Sequence, residues 1–340
     1  MSRKFNVAVV GATGAVGEAM LAILAERSFP VGEVHAVASS RSAGQKVPFE
    51  DRELSVRDLE SFDFRGIDIG LFSPGASVSA VFAPRAVAAG CIVIDNTSQF
   101  RYDADVPLVV PEVNADAIGQ YRNRGIIANP NCSTIQMVMA LKPVYDAAGI
   151  ERINVCTYQS VSGTGKDAIA ELEQQTVALL NGRDIECHVY PRQIAFNVLP
   201  HIDAFMDNGY TREEMKLVWE TRKILGDATI RINPTTVRVP VFYGHSEAVH
   251  IETRDKISAE EVRGLLRGRP GLEVLDERRD GGYPTAVTEA SGRDAVFVGR
   301  IREDLSHSRG INLWVVCDNI RKGAALNSVQ IAEILVKDYL

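Results

Sequence analysis

Val7-Ala8-Val9-Val10-Gly11-Ala12-Thr13-Gly14-Ala15-Val16-Gly17 runs in the order strand, glycine turn, helix. The unbroken apolar run suits a strand buried on both faces of a parallel sheet. Gly11 would permit a tight turn, Gly14 the close approach of a pyrophosphate, and Gly17 close packing of helix on strand, with the phosphates on N–H groups at the helix N-terminus. The spacing is GxxGxxG rather than GxGxxG, and a glycine-rich turn that binds nothing reads the same way. Its place directly after a strand, at the very start of the chain, favours a dinucleotide site.

Outward from this loop, short apolar strands are expected at residues 6–10, 33–38, 67–72, 91–95, 108–110 and 125–128, with a helix at 15–27 whose apolar stripe is Met20, Leu21 and Leu24. Beyond residue 130 the texture changes. Residues 153–161 alternate, Ile153, Val155, Thr157, Gln159 and Val161 facing one way. Similar runs recur at 235–241, 248–253, 295–302 and 311–317, with helices near 166–180, 212–225 and 259–266. The expected fold is α/β: a Rossmann-type doubly wound domain over residues 1–130, then an α+β domain with a mixed, largely antiparallel sheet over 131–319. A helix within 320–340 returns to complete the first domain.

The end of the second strand bears on the nucleotide. A site for NAD wants an acid there to meet the ribose hydroxyls. Val37-Ala38-Ser39-Ser40-Arg41-Ser42 offers no acid, but an arginine among serines, which suits a 2′-phosphate and favours NADP.

Asn129-Pro130-Asn131-Cys132-Ser133-Thr134 is followed by Ile135, Met137, Val138, Met139, Leu141 and Val144. Pro130 and Asn131 disfavour helix and Ser133 and Thr134 suit a first turn, so Cys132 falls at a helix mouth, where partial positive charge favours the thiolate nucleophile. A structural cysteine beside an apolar helix is the alternative. In Arg238-Val239-Pro240-Val241-Phe242-Tyr243-Gly244-His245, a strand bearing an arginine leads through a turn to a histidine, the side chain suited to moving protons near neutral pH. A cysteine with a histidine distant in sequence fits thioester chemistry, and Arg238 offers a planar fork for a carboxylate. Arg101 lies just beyond the fourth strand, at the edge where doubly wound sheets bind ligands. Glu213 and Lys216 share one helix face, as an anion site or as a plain ion pair.

The formal net charge of −7 argues against nucleic acid or an anionic membrane as partner, and no apolar stretch approaches the roughly 20 residues of a spanning helix. The five cysteines are scattered, with no CxxC pair, and the histidines show no ligand spacing. A reduced cytoplasm and no metal are expected. The N-terminus leaves no room for a signal peptide's apolar core.

Taken together, the glycine loop, Asn129 to Thr134, Gln159-Ser160-Val161-Ser162-Gly163, Gly244-His245 and Asp318-Asn319 resemble the aspartate-β-semialdehyde dehydrogenases over essentially the whole chain. The resemblance implies that Cys132 forms the acyl-enzyme, His245 is the acid/base, and Gln159 orients the substrate. Arg238 would hold the α-carboxylate and Glu213 meet the α-amino group, while Arg101 and Lys216 bind phosphate. Thr13, Gly14, Ala15, Val16, Arg41, Ser42, Ser162, Gly163 and Asn319 would contact NADP, with Gly11 shaping the loop; Asn319 stands where some members have glutamine. It further implies reversible reduction of L-aspartyl-4-phosphate by NADPH to the semialdehyde and inorganic phosphate, in lysine, diaminopimelate, methionine and threonine synthesis, by a homodimer. N-acetyl-γ-glutamyl-phosphate reductase shares this logic, but its cysteine usually sits in a Gly-Cys-Tyr context. A catalytically silent binding relative is the other alternative, against which the intact set Cys132, Gln159, Arg238 and His245 argues.

Overall fold

A computed structural model describes residues 3–340, which divide into two compact units: residues 3–131 with 324–340, and residues 132–323.

The first unit is built on β1 (Phe5–Val10), β2 (Val31–Ala38), a hairpin of β3 (Lys46–Phe49) and β4 (Arg52–Ser55), then β5 (Arg57–Asp58), β6 (Ile69–Phe72), β7 (Ile92–Asp95) and β8 (Ile126–Ala128). All but the hairpin form one sheet in the order β5-β2-β1-β6-β7-β8, parallel throughout. Helix α1 (Ala15–Glu26) connects β1 to β2, and α2 (Ala76–Ala88) connects β6 to β7. The two crossovers run in opposite directions from the β1–β6 pair, so right-handed connections put their helices on opposite faces. The strand order reverses at this pair, and a doubly wound sheet opens its ligand crevice there, outside the carboxyl ends. The C-terminal helix, Leu326–Asp338, packs beside α1 and over β6 and β7, burying Leu326, Val329, Ile331 and Leu335.

Residues 108–110, expected as a strand, contribute only an isolated bridge from Leu108 to Ala128. Pro107 and Pro111 bracket the segment, and a proline denies a sheet its donor; Pro111 instead starts the one-turn helix α3 (Pro111–Asn114). Helix α2 carries little periodic signal, because small residues and an internal Pro84 replace the usual large apolar stripe.

The second unit begins with α4 (Cys132–Ala148). Helix α4 is buried nearly all round, which marks a central helix. Burying Ile135, Met137, Val138, Met139, Leu141 and Val144 contributes on the order of 10 kcal/mol. Packing of the whole helix, rather than local propensity, therefore sets where its first residue stands. The mixed sheet comprises β9 (Ile150–Gln159), β10 (Arg231–Arg238), β11 (His245–Thr253), β12 (Leu272–Val274), β13 (Val296–Glu303) and β14 (Gly310–Cys317), in the order β10-β9-β11-β14-β13-β12. Its inner pairs β9–β11, β11–β14 and β13–β14 are antiparallel, and both outer pairs are parallel. Helices α5 (Lys166–Leu180), α6 (Arg212–Leu225) and α7 (Ala259–Leu266) complete the unit, and α4 packs on α6, α7 and four of the strands. Capping boxes Thr211/Glu214 and Ser258/Glu261 start α6 and α7. Among the described residues, no helix is long and apolar enough to cross a membrane.

Candidate functional site

In the first unit, Gly11 has φ +88°, and a Cβ there would lie 2.7 Å from the carbonyl oxygen of Ser73. A Cβ on Gly17 would lie 2.1 Å from the carbonyl oxygen of Gly11, so α1 closes on the turn only because that side chain is missing. Gly14 is the N-cap residue of α1 and no side chain caps the helix, leaving its first-turn backbone for an anion. The loop thus fits a dinucleotide pyrophosphate. Arg41 and Ser42 lie on a single 3₁₀ turn directly after β2, and Thr13 Oγ1 sits 3.4 Å from Ser42 Oγ, joining the two loops. Tertiary structure adds an acid that local sequence hides. Strand β5 pairs with β2 and brings Asp58 beside Ala38, where Oδ1 accepts from Ser40 Oγ at 3.1 Å and from the Glu60 N–H at 3.1 Å.

Arg101 is buried, and Nη2 donates to the Asn96 carbonyl at 2.8 Å. Asp95 ends β7 beneath it; burial raises its pKa against the opposing pull of Thr97, Ser79 and Arg101. Asn129 donates to Asn96 Oδ1 at 2.7 Å and accepts from Asn327 Nδ2 at 2.7 Å. The segment that leads into the cysteine motif is therefore tied both to the end of β7 and to the C-terminal helix.

In the second unit, strand register does the assembling. Gln159 at the end of β9 lies level with Arg238 at the end of β10, and His245 at the start of β11 lies level with Cys317 at the end of β14. Four segments deliver their side chains to one end of the sheet. Cys132 is the first residue of α4 and partly accessible. Three of the other cysteines are poor nucleophiles: burial pushes the Cys91 thiol up to about 12, raises Cys317 well above the thiol range and raises Cys156. Cys132 is among the neighbours that raise Cys317, which places it near the strand end opposite His245.

Gln159 is buried, its Nε2 within reach of Ser133 Oγ (3.0 Å), Thr157 Oγ1 (3.3 Å) and Glu213 Oε1 (3.1 Å). The amide thus links the first turn of α4 to α6. Glu213 Oε2 accepts from Lys216 Nζ at 2.8 Å, and Asp203 Oδ2 accepts from the same ammonium at 2.8 Å. Burial lowers the Lys216 pKa, but the two carboxylates outweigh it and the net shift is upward. The ion pair foreseen as the plain alternative does form, largely buried rather than on the surface.

Arg238 Nη1 donates to the Ser160 carbonyl at 2.6 Å, and its guanidinium lies 6.0 Å from the centre of the Tyr190 ring. Tyr190 in turn hydrogen-bonds Thr164 Oγ1 at 3.0 Å, and the coil carrying it is clamped from α5. Glu171 accepts from the N–H groups of His188 (2.7 Å), Val189 (2.5 Å) and Tyr190 (3.2 Å), and Gln175 Oε1 from those of Ile194 (3.0 Å) and Ala195 (3.2 Å). Local sequence gives no sign of Tyr190, Glu171 or Gln175, because their partners lie in irregular coil.

His245 is fully buried. Its Nδ1 accepts from the Ser160 backbone N–H at 3.0 Å, so in the neutral ring the proton sits on Nε2. Burial, aided by the Arg238 charge and opposed by Glu213, brings its pKa down to about 3. Two buried donors, His245 Nε2 and Arg238 Nε, have no hydrogen-bond partner among the described residues, the condition of a site awaiting a polar ligand. A Cβ on Gly163 would stand 3.3 Å from both His245 Nε2 and Arg238 Nη1, so a residue without a side chain fits best beside both groups. Ser162 Oγ lies 3.0 Å from Ser160 Oγ. Asn319, assigned by resemblance to the dinucleotide, is buried with its amide bonded to Ser160, Ser162 and Gly244. No cluster of three His, Cys, Asp or Glu residues is placed to hold a metal among the described residues.

Residues 6–121 match the family model "Semialdehyde dehydrogenase, NAD binding domain", and residues 141–322 match "Semialdehyde dehydrogenase, dimerisation domain". The chain is 63% identical to the aspartate-semialdehyde dehydrogenase of Shewanella violacea, with 100% of each chain covered, and 53% identical to that of Aquifex aeolicus, with 99% of each covered. Among solved structures it superposes on aspartate semialdehyde dehydrogenase II of Vibrio cholerae, complexed with ASA, with a TM-score of 0.98 and 60% identity over 100% of both chains. The Candida albicans enzyme with NADP gives a TM-score of 0.76 at 28% identity over 98% of both chains. With a parallel dinucleotide-type sheet, a mixed second sheet and full-length identity of this order, the chain belongs to the aspartate-semialdehyde dehydrogenase family.

Proposed function

We propose that the chain reduces L-aspartyl-4-phosphate to L-aspartate-4-semialdehyde and phosphate, reversibly and with NADPH, through a thioester on Cys132. The observation that carries this reading is the convergence of Gln159, Arg238 and His245 at one sheet end, with two buried donors unpartnered and Cys132 at the mouth of α4. Cys132 attacks the acyl carbon, a C–S bond forms, and the C–O bond to phosphate breaks. Thiol chemistry suits both halves of the reaction, since a thioester accepts hydride and a thiolate leaves readily.

Gly11, Thr13, Gly14, Ala15, Val16, Arg41, Ser42, Ser162 and Gly163 are the residues assigned to hold NADP, which when bound in its reduced form, NADPH, would supply the hydride. Arg238 takes the substrate α-carboxylate, Glu213 its amino group, and Gln159 orients the acyl group. Arg101 and Lys216 take the phosphate, which must share Lys216 with Glu213 and Asp203. His245 serves the oxygen of the tetrahedral species as acid/base, in a site dry enough to keep its ring neutral. A homodimer in the cytoplasm, serving synthesis of lysine, diaminopimelate, methionine and threonine, completes the reading.

Cys132→Ser is expected to keep the fold and dinucleotide binding while losing nearly all turnover. Mass spectrometry of the wild type quenched with substrate is expected to place the acyl adduct on the Cys132 peptide. An adduct on Cys91 or Cys156 instead would sink the assignment.

Arg41→Ala is expected to weaken NADPH about tenfold to a hundredfold while leaving NADH nearly unchanged, the loss of one charge-assisted contact. Equal wild-type efficiency with the two cofactors would refute the role given to Arg41.

Arg238→Lys keeps charge but loses the fork, so kcat/KM for the semialdehyde is expected to fall sharply while the KM for phosphate holds. Lys216→Ala is expected to do the reverse. If the Arg238 variant chiefly raises the phosphate KM, the two anion sites are interchanged.

The depressed pKa of His245 also has a stability consequence. The unfolded chain binds that proton near pH 6.5 and the folded chain only near 3, so its contribution is present above 6.5 and is lost as pH falls toward 3. His245→Gln is therefore expected to lose stability less steeply than wild type across that window in denaturant titrations. Parallel curves for the two proteins would count against a buried neutral imidazole.

A further inference from the structure

The amide of Asn319 gathers three backbone segments that meet around His245. Its Oδ1 accepts from the Gly244 N–H at 3.0 Å, from Ser160 Oγ at 3.0 Å and from Ser162 Oγ at 3.2 Å. Its Nδ2 donates to Ser162 Oγ at 3.0 Å, and the residue is 2% exposed. Gly244 immediately precedes His245. Ser160 presents both its N–H (3.0 Å) and its Oγ (3.1 Å) to His245 Nδ1. The turn after β9, the turn before β11 and the end of β14 are thereby joined through one side chain.

We infer that Asn319 is a positioning residue for His245, holding the Ser160 N–H against Nδ1 so that the imidazole presents Nε2–H, as a hydrogen-bond donor, to the substrate oxygen. This rests on the reading of His245 as the group that serves that oxygen. A backbone N–H can only donate, so while it faces Nδ1 the neutral ring cannot carry its proton there. Nε2 is then a donor, buried, without a partner among the described residues and next to Gly163, which brings no side chain of its own. Such a donor stabilises negative charge as it collects on the carbonyl oxygen during attack or hydride addition. After attack the tetrahedral alkoxide collapses with C–O cleavage and phosphate leaves; after hydride addition it collapses with C–S cleavage and the thiolate leaves.

The test combines kinetics with ¹⁵N NMR of the histidine rings, His245 being identified by the signals missing from His245→Gln. In the wild type, the His245 shifts are expected to be those of a neutral ring protonated at Nε2. Asn319→Ala is expected to lower kcat about tenfold, to shift the His245 signals toward a mixture of tautomers, and to leave the Kd for NADP+ within twofold. In a His245→Gln background, Asn319→Ala should cost less than a further twofold. A raised Kd for NADP+ in Asn319→Ala, an unchanged tautomer signature, or the same tenfold loss without His245 would each overturn the inference while leaving the role of His245 intact. Wild-type turnover in His245→Gln would instead overturn that role, and the inference with it.

Discussion

The register between β9, β11 and β14 is the constraint on which the second unit depends. Side-chain direction in a strand alternates with every residue, so a slip of one position would send Gln159, Arg238 and His245 to the opposite face. Hydrogen bonds along four paired strands hold that register: Ser246 faces Tyr158 and His245 faces Cys317, while Arg238 runs level with Gln159. The β11–β14 pair carries an unbroken ladder, and the irregular steps, between Gly299 and Arg302 in β13 and between Glu252 and Thr253 in β11, lie away from the site. Helix α4 then lies across this sheet, and its packing puts Cys132 at the near end.

Polar groups buried at that end are satisfied in an uneven way, and the pattern bears on the chemistry. Gln159, Glu213, Lys216 and Asp203 form a connected set in which each charge has an opposite neighbour. Ser160, Ser162, Gly244 and Asn319 form a second set, neutral throughout. Between them, His245 and Arg238 keep unpartnered donors. An unpaired buried donor costs about 1–3 kcal/mol, a cost a bound carbonyl or carboxylate would relieve. The two hydrogen-bonded sets hold these groups still, and groups held in place need no rearrangement as charge develops.

The first unit solves a different problem, binding a charged dinucleotide at a loop, residues 11–17, that has no charged side chain. Its glycine loop uses backbone: Gly11 turns where a side chain would strike Ser73, and Gly17 lets α1 approach. The turn after β2 is electrostatically mixed, with exposed Arg41 on one side and Asp58 on the other, the latter occupied by Ser40 and the Glu60 N–H. A carboxylate already accepting two hydrogen bonds is a weaker competitor for a ribose hydroxyl than a free one.

Periodic elements and short-range motifs were legible in the chain without a structure. The strand–glycine–helix opening, helices α5, α6 and α7 to their residue limits, and the alternation along β9 all follow from patterns a few residues long. Cys132 at a helix start was legible for the same reason, since Pro130 and the apolar run after it are neighbours in sequence. Elements with weak local signals escaped: α2, built of small residues around Pro84, and the bridge at Leu108, which apolarity alone made look like a strand. What sequence could not supply was every relation between distant segments. Asp58 beside β2, Glu171 beneath the coil that carries Tyr190, and Asn319 joined to Ser160 and Gly244 bring together residues from 18 to 159 positions apart. The physical reason is one of range: helix and strand propensities act over a few residues, whereas a hydrogen bond between remote side chains exists only once packing has brought them together.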